Sequence, residues 1–553
     1  MANYHKIHCT NCGKTVLANK MAVDVDMLIR EYLTKAVDKL GRRELADYQE
    51  LWDAIRFGMY MTKEDMRNQR LLTPFGVLTI KARDILKFLE TRYSVNLQLD
   101  QTNASTSENS DFVLQPHNQR NELNKLALNV RWSQNKDASM EDKCRDIENA
   151  IVLLYEKQDV ALLECTCEFI EITDDNGNYF VSQLHVTYLD NEVTPYTHMV
   201  CPDCGDRFYV GAGQYEEKVI VMLGSSRVGK TAYLAALVDS INEQLQSAGQ
   251  DISVNAVSDR RAVSFKKNVL KLYREGKKIG KTPVERALVP LLSIQIIING
   301  KGYVFTLVDM PGEIYVPTDE EEEEQGEASG MFIVNQRRIC HSADAFWFCI
   351  DPVQIDRRLA DKNKNSSTEE QVERDIKTVF QNIDNMLAIM GRDKKNIPTA
   401  VMLTKSDYLT TNGPLFKEEQ RKIDYNLYHP DSSPLCLHEN ATFDVDELAM
   451  VATDVENYLK NEFIDRSVLS EINRIFSRKN FFALAAYGVE AGVEPKDIAP
   501  YGIALPFLWT LACMGYLKPV RKNVITPSAQ GFFGSIQQPQ VGIVEAECDK
   551  LFV

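Results

Sequence analysis

Histidine is scarce in this chain, with eight in 553 residues, and neither an HExxH segment nor a Ser/His/Asp arrangement appears. Zincin-type and triad-type hydrolysis are therefore not indicated. An apolar leader is missing as well: residues 1–14 read MANYHKIHCTNCGK, polar where a secretory signal needs an apolar core, so export is not expected. Positive charge is in deficit. The 63 Lys and Arg against 79 Asp and Glu leave a net charge of −16, which argues against nucleic acid or anionic lipid as a partner of the whole surface and leaves room only for a local basic patch. A disulfide framework is also lacking. Of 12 cysteines, four form two CxxC pairs, while Cys144, Cys165, Cys167, Cys340, Cys349, Cys436, Cys513 and Cys548 are scattered, the pattern of a reduced, cytoplasmic protein. With 44% hydrophobic and 26% charged residues, a collagen-like, mucin-like or largely disordered chain is excluded. Only residues 498–517 (IAPYGIALPFLWTLACMGYL) run 20 positions without charge. Pro500, Gly502 and Pro506 crowd the first half, so a buried terminal helix is expected there and no membrane span.

What is present begins with two near-identical turns, Cys9-Thr-Asn-Cys12-Gly13 and Cys201-Pro-Asp-Cys204-Gly205. Each can present two thiolates to one point with a glycine just after, as a tetrahedral zinc knuckle requires. The alternative is two independent redox pairs, although neither sits in a thioredoxin-like βαβ. The 188 residues between Cys12 and Cys201 demand an inserted domain whose ends meet. The expected organisation is a zinc ribbon of 1–20 plus 195–212, split by an α+β insert over 21–194. Within the insert, 24–40, 43–59 and 81–93 read as amphipathic helices and 101–118 as a polar loop. A helix near 140–157 and two strands, 160–173 and 179–188, follow, the strands joined through Asp174-Asp-Asn176-Gly177-Asn178, a hairpin signal. No chemistry and no internal repeat is evident there.

From Glu217 the rhythm changes to apolar strands alternating with helices, the mark of an α/β fold with a mostly parallel sheet. The strand 218–223 (KVIVML) runs into Gly224-Ser225-Ser226-Arg227-Val228-Gly229-Lys230-Thr231 and then a helix over 232–247. This is strand, P-loop, helix: glycines let backbone N–H groups converge on phosphates, Lys230 can reach the β and γ oxygens, and the Thr231 hydroxyl can ligate Mg²⁺. A second apolar strand, 303–308, ends in Asp309-Met-Pro-Gly312-Glu313, placing a carboxylate at a strand tip for the Mg²⁺ shell and a glycine N–H for a γ-phosphate. A third, 397–403, ends in Thr404-Lys405-Ser406-Asp407. A carboxylate there accepts from both N1–H and the 2-amino group of guanine, a donor pair that adenine lacks, and so selects GTP over ATP. Two look-alikes, Thr62-Lys63-Glu64-Asp65 and Asp174 to Gly177, lack a preceding strand tip or lie before the P-loop.

With GxxxxGKT, DxPG and TKxD in this order, the segment 217–517 resembles a P-loop GTPase of the translation-factor and Ras-like class. The DMPGE form, Asp351-Pro352 after the strand 345–350, and the late ALPFLW segment are similar to the double-GTPase-type proteins of bacterial conflict systems. The resemblance implies an α/β P-loop GTPase domain flanked by helices, with 518–553 as a C-terminal tail. It also implies Mg²⁺-dependent GTP hydrolysis, guanine nucleotide as ligand, and a protein partner or activating factor. A switch threonine should precede the Asp309 strand, and Thr282 is the candidate, an ordinary turn threonine being the alternative. After the strand 481–484, Ala485, Ala486 and Tyr487 would offer backbone N–H groups to the guanine oxygen. Glu313 stands where a water-orienting glutamine is common. It can orient water or accept its proton, it can slow hydrolysis by adding negative charge, or it is a solvated surface glutamate.

The acid run 319–324 (DEEEEE) falls in the expected second switch, and a basic helix over 258–276 leads towards Thr282. A solvated face, a nucleic-acid patch and mutual pairing of the two segments all stand as readings of this charge. Two other function classes remain beside the GTPase: a nucleotide-gated partner-binding module with negligible turnover, and a zinc-ribbon nucleic-acid binder.

Overall fold

The computed structural model describes residues 4–9, 11–54, 57–93, 149–150, 152–173, 179–224, 228–246, 253–256, 265–277, 279, 291–298, 300–309, 338–352, 396–409, 442–461, 467–488, 498, 500–525, 540–545 and 551–552. The chain forms two compact units, Met1–Gln214 and Tyr215–Val553.

In the first unit, strands β1 (Lys6–His8) and β2 (Thr15–Leu17) make a short antiparallel hairpin around the first CxxC turn. Strand β3 (Ala22–Asp24) leads into helix α1 (Val25–Asp38), whose N-cap Asp24 accepts a hydrogen bond from the Met27 N–H at 3.3 Å. Helix α2 (Ala46–Ala54) packs on α1, and β4 (Tyr60–Thr62) returns to pair with β3. Helix α3 (Lys63–Asn68) explains the TKED look-alike. Thr62 and Asp65 form a capping box, the Asp65 N–H donating to the Thr62 hydroxyl at 3.1 Å and the Thr62 N–H to the Asp65 carboxylate at 3.0 Å. A four-stranded antiparallel meander of β5 (Val77–Lys81), β6 (Ala161–Thr173), β7 (Tyr179–Thr187) and β8 (Val193–Tyr196) completes the unit, with helix α4 (Ala82–Tyr93) after β5. Along β6 the buried Leu163, Cys165 and Cys167 alternate with the exposed Glu164, Thr166 and Glu168, the period-two pattern of a sheet with one wet face. The hairpin residues 174–178 and the polar stretch 101–118 lie outside the described residues.

The second unit is built on a seven-stranded sheet in the order β10-β11-β12-β9-β13-β14-β16, from β9 (Glu216–Leu223), β10 (Ser253–Ala256), β11 (Leu291–Ile298), β12 (Lys301–Asp309), β13 (Ala345–Ile350), β14 (Thr399–Leu403) and β16 (Lys479–Ala483). The sheet is mixed. Pairings among β12, β9, β13, β14 and β16 are parallel, while β10–β11 and β11–β12 are antiparallel. The strict strand–helix rhythm expected from the sequence breaks at β11 and β12, which Ile298 to Lys301 join in a turn through Gly300, too short for a parallel crossover. Near-continuous apolar strands are explained by burial on both faces. Ile220 and Met222 of β9 join one core with helix α5 (Lys230–Gln246), and Val219, Val221 and Leu223 join the other.

The uncharged segment near 500 is a buried helix, α9 (Leu505–Cys513), which follows α7 (Val445–Asn461) and α8 (Ser467–Ile475) in the chain. Between α5 and α7, the described part of the basic helix is a π-helical turn at Lys266–Leu270 running into α6 (Lys271–Arg274). Nine residues of α9 span about 14 Å, half a bilayer core. Its polar groups are satisfied inside the protein: the Trp347 indole donates to Thr510 at 3.0 Å and the Trp509 indole to the Leu551 carbonyl at 2.7 Å. Among the described residues no helix is long and apolar enough to cross a membrane. The segment set apart as a tail contributes structure. Strands β17 (Lys518–Ile525) and β18 (Gln540–Glu545) form a second sheet with β15 (Thr442–Asp444), and Leu551 also accepts from Asn480 at 3.0 Å. Lys518, Arg521 and Lys522 interrupt the apolar alternation of β17, which hid it as a strand.

Candidate functional site

The parallel strands of the seven-stranded sheet all end on one side: β9 at Gly224, β12 at Asp309, β13 at Asp351, β14 at Thr404 and β16 at Leu484. β9 is central, with β12 on one flank and β13 on the other, so the connections diverge at its tip, where open α/β sheets bind ligands.

The loop after β9 approaches the sheet closely. Gly224 has φ +140, and a Cβ there would lie 2.6 Å from the Cys349 carbonyl oxygen, so only glycine fits. Lys230, at the start of α5, is buried and donates from Nζ to the Gly224 carbonyl at 2.8 Å. The adjacent Thr231 hydroxyl donates to Asp309 Oδ2 at 2.6 Å, which joins the P-loop to the tip of β12. Burial pushes the Asp309 carboxyl up, and the Lys230 charge and the Thr231 hydrogen bond oppose that push. Gly224, Val228 and Gly229 flank Ser225, Ser226 and Arg227, which lie outside the described residues together with Thr282, Gly312, Glu313 and the acid run.

The third motif closes onto the first. The buried Thr404 hydroxyl lies 2.6 Å from the Val228 carbonyl and 3.0 Å from that of Ile350, bridging the tips of β14 and β13 to the P-loop. Lys405 adopts φ +50 and ion-pairs with Asp351, which is 2% exposed. Ser406 donates from both its N–H, at 3.1 Å, and its hydroxyl, at 2.9 Å, to the Leu484 carbonyl, locking this loop to the end of β16. Asp407 is carried in the short turn Ser406–Leu409. Burial pushes its carboxyl up to about 6; its own backbone N–H and Lys405 oppose this, and the Asp351 charge adds to it.

The base-side loop departs from expectation at one residue. The Ala485 N–H donates to the Tyr501 carbonyl at 3.1 Å, and Ala485 is fully buried, so its amide is engaged within the protein. The Tyr501 segment, 16 positions along the chain, takes that donor by pairing as an isolated bridge. Ala486 is held differently. Its carbonyl accepts from Tyr273 at 2.7 Å, and Tyr487 donates to the Lys277 carbonyl at 2.9 Å, so residues of the basic segment brace this loop. Arg274 pairs with Asp239 at 2.7 Å and Lys277 with Glu275 at 2.9 Å, local pairing that fits a solvated face.

The first unit holds a separate cluster. The Sγ atoms of Cys9, Cys12, Cys201 and Cys204 all lie within 4.8 Å of one another, with Cys9 to Cys204 at 3.5 Å and Cys12 to Cys201 at 3.7 Å. The two turns are alike: the Gly13 N–H donates to the Cys9 carbonyl and the Gly205 N–H to the Cys201 carbonyl, each at 2.9 Å. Gly205 has φ +68, and a Cβ there would lie 1.8 Å from Tyr60 Cζ, so the second turn requires glycine. A Zn–S distance near 2.3 Å places tetrahedral sulfurs about 3.8 Å apart, so the donor set fits zinc.

Residues 218–459 match the model of the Double-GTPase 2 family. This part of the chain is thus similar to a P-loop GTPase domain of the double-GTPase type. No curated protein matches the chain. Among solved structures, the S. cerevisiae Ski7 GTPase-like domain bound to GTP is 13% identical, with a TM-score of 0.23 over 57% of this chain and 55% of that one. The match thus spans about half of that structure.

Sequence reasoning missed two residues at the site, Asp351 as the partner of Lys405 and Tyr501 as the partner of Ala485. The signal for Asp351 was present: a carboxylate placed directly after six apolar residues.

Proposed function

We propose that the protein is a Mg²⁺-dependent GTPase. The observation that carries this reading is the convergence of Lys230, Thr231, Asp309, Lys405 and Asp407 at the carboxyl end of one sheet, tied by the Thr231–Asp309 and Thr404–Val228 hydrogen bonds. Lys230 would hold the β- and γ-phosphates, and Thr231 with Asp309 would hold the metal, whose role when bound is to neutralise phosphate charge. Asp407 and Lys405 would read the base, with the Ala486 amide as the base-side donor in place of Ala485. Roles for Thr282 in the first switch, Gly312 at the γ-phosphate and Glu313 at the attacking water rest on sequence order. In the first unit, Cys9, Cys12, Cys201 and Cys204 would bind zinc in a ribbon of 1–20 plus 195–212, with 21–194 as the insert. Among the described residues the cysteines form no disulfide, Cys165 and Cys167 lying with sulfurs 3.7 Å apart, which fits a reducing, cytoplasmic setting. A regulatory role in a bacterial conflict system, with a protein partner or activating factor, follows from the family likeness.

Asp407 supplies the test. It must be ionised to accept two hydrogen bonds from guanine, and burial sets its carboxyl at about 6 in the nucleotide-free protein. A raised folded-state value means that ionisation destabilises the free protein as pH rises through that range, and bound guanine offsets this loss. GTP affinity should therefore be flat above pH 7 and fall about tenfold by pH 5. Asp407→Asn should weaken GTP about 100-fold and flatten the profile. Competition titrations of GTP against ATP from pH 5 to 8 measure both effects. A wild type that prefers ATP refutes the guanine assignment.

A further inference from the structure

We infer that Asp351 is a positioning residue for guanine-nucleotide binding, holding the side chain of Lys405 against the P-loop without touching the ligand. The inference rests on the guanine-nucleotide reading above. Strand β13 is buried at all six positions and ends directly in Asp351, which remains 2% exposed. A carboxylate at that depth needs a cation. The parallel register sets Ile350 opposite Leu403, so the next strand's tip brings Lys405 to the same level, and its ammonium pairs with Asp351.

Lys405 is thus restrained at both ends. Its backbone sits at φ +50, a region that lysine seldom adopts, and its far end is held by the carboxylate. Between these points its stem passes the P-loop, with Cε 3.9 Å from where a Gly229 Cβ would be. A lysine free to rotate would lose much of its side-chain freedom on packing against a base. Fixed in advance, it presents its aliphatic stem beside the phosphate loop before ligand arrives, and that order is lost only once. The contribution of Asp351 should therefore pass mainly through the Lys405 ammonium, its charge on Asp407 being the smaller influence.

A double-mutant cycle on the full-length protein tests this, with GDP affinity measured by titration calorimetry and folding checked by thermal melting. Asp351→Asn should weaken GDP about tenfold in the wild-type background. In a Lys405→Met background, which keeps the stem and removes the charge, the same substitution should change affinity less than about twofold. An equal loss in both backgrounds overturns the inference, since Asp351 would then act on the fold and not on Lys405. No loss in the wild-type background overturns it as well. Should Asp351→Asn alone fail to fold, Lys405→Met and the charge-free double variant still decide: equal GDP affinity supports the inference, and a weaker double variant refutes it. A folded wild type that does not bind GDP refutes the guanine-nucleotide reading instead, which separates the two failures.

Discussion

Lys230→Ala is expected to weaken GTP binding by about 100- to 1,000-fold, the largest single loss at the nucleotide site. Two effects combine. Lys230 would supply the buried cation nearest the β- and γ-phosphates, where low dielectric strengthens each charge-assisted hydrogen bond. Its Nζ also holds the Gly224 carbonyl at 2.8 Å, so truncation leaves a carbonyl of the phosphate loop without that donor. Thr231→Ala should act differently. Its hydroxyl bonds to Asp309, the other residue that would hold the metal, so the variant should bind GTP in EDTA about as the wild type does and lose the gain that Mg²⁺ gives. Fluorescent-nucleotide titrations with Mg²⁺ and with EDTA separate the two. Unchanged GTP affinity in both variants refutes the phosphate assignment.

The contrast between these residues and others at the same site shows what a sequence carries. The GxxxxGKT segment is contiguous, with its strand before it and its helix after it, so its geometry is set by neighbours along the chain. Asp309 and Asp407 are legible for the same reason, each standing at the tip of an apolar run. The Lys405–Asp351 pair and the Ala485–Tyr501 bridge depend on which strands and segments lie side by side, and that order is written nowhere locally. The TKED look-alike was set aside for want of a preceding strand, but a short buried strand, β4, does end at Thr62; what distinguishes the segment is its place before the P-loop and the capping box that Thr62 and Asp65 form, which follows from Thr-x-x-Asp chemistry. The antiparallel edge of β10 and β11 was not legible, because Leu291–Ile298 reads as a buried strand whichever way it runs.

Removing the four-cysteine site is expected to abolish zinc content and to unfold the first unit while leaving nucleotide affinity intact. Four thiols within 4.8 Å cannot all ionise beside one another unless a cation sits among them, because like charges at that distance repel strongly at low dielectric. Bound zinc supplies that cation, and structural sites of this kind contribute folding free energy outright. The dependence should be large because the four ligands tie residues 9–12 directly to residues 201–204, closing the length of chain between them. The Lys14–Asp203 ion pair, at 2.6 Å, links the two turns, but each side chain is 43% exposed and contributes little. The Ala22–Val200 bridge and the packed cluster of Ala22, Tyr60 and Val200 join the same two ends beside the metal site. Metal analysis of the purified wild type should give about one zinc per chain. A Cys9→Ser, Cys201→Ser double variant should hold none and should show loss of the melting transition of the first unit, with GDP titration as the check that the second unit is folded. Strong chelation of the wild type should reproduce the same change, and added zinc should reverse it. Stoichiometric zinc retained in the double variant places the metal elsewhere; zinc lost with unchanged melting means that the cluster binds metal without supporting the fold.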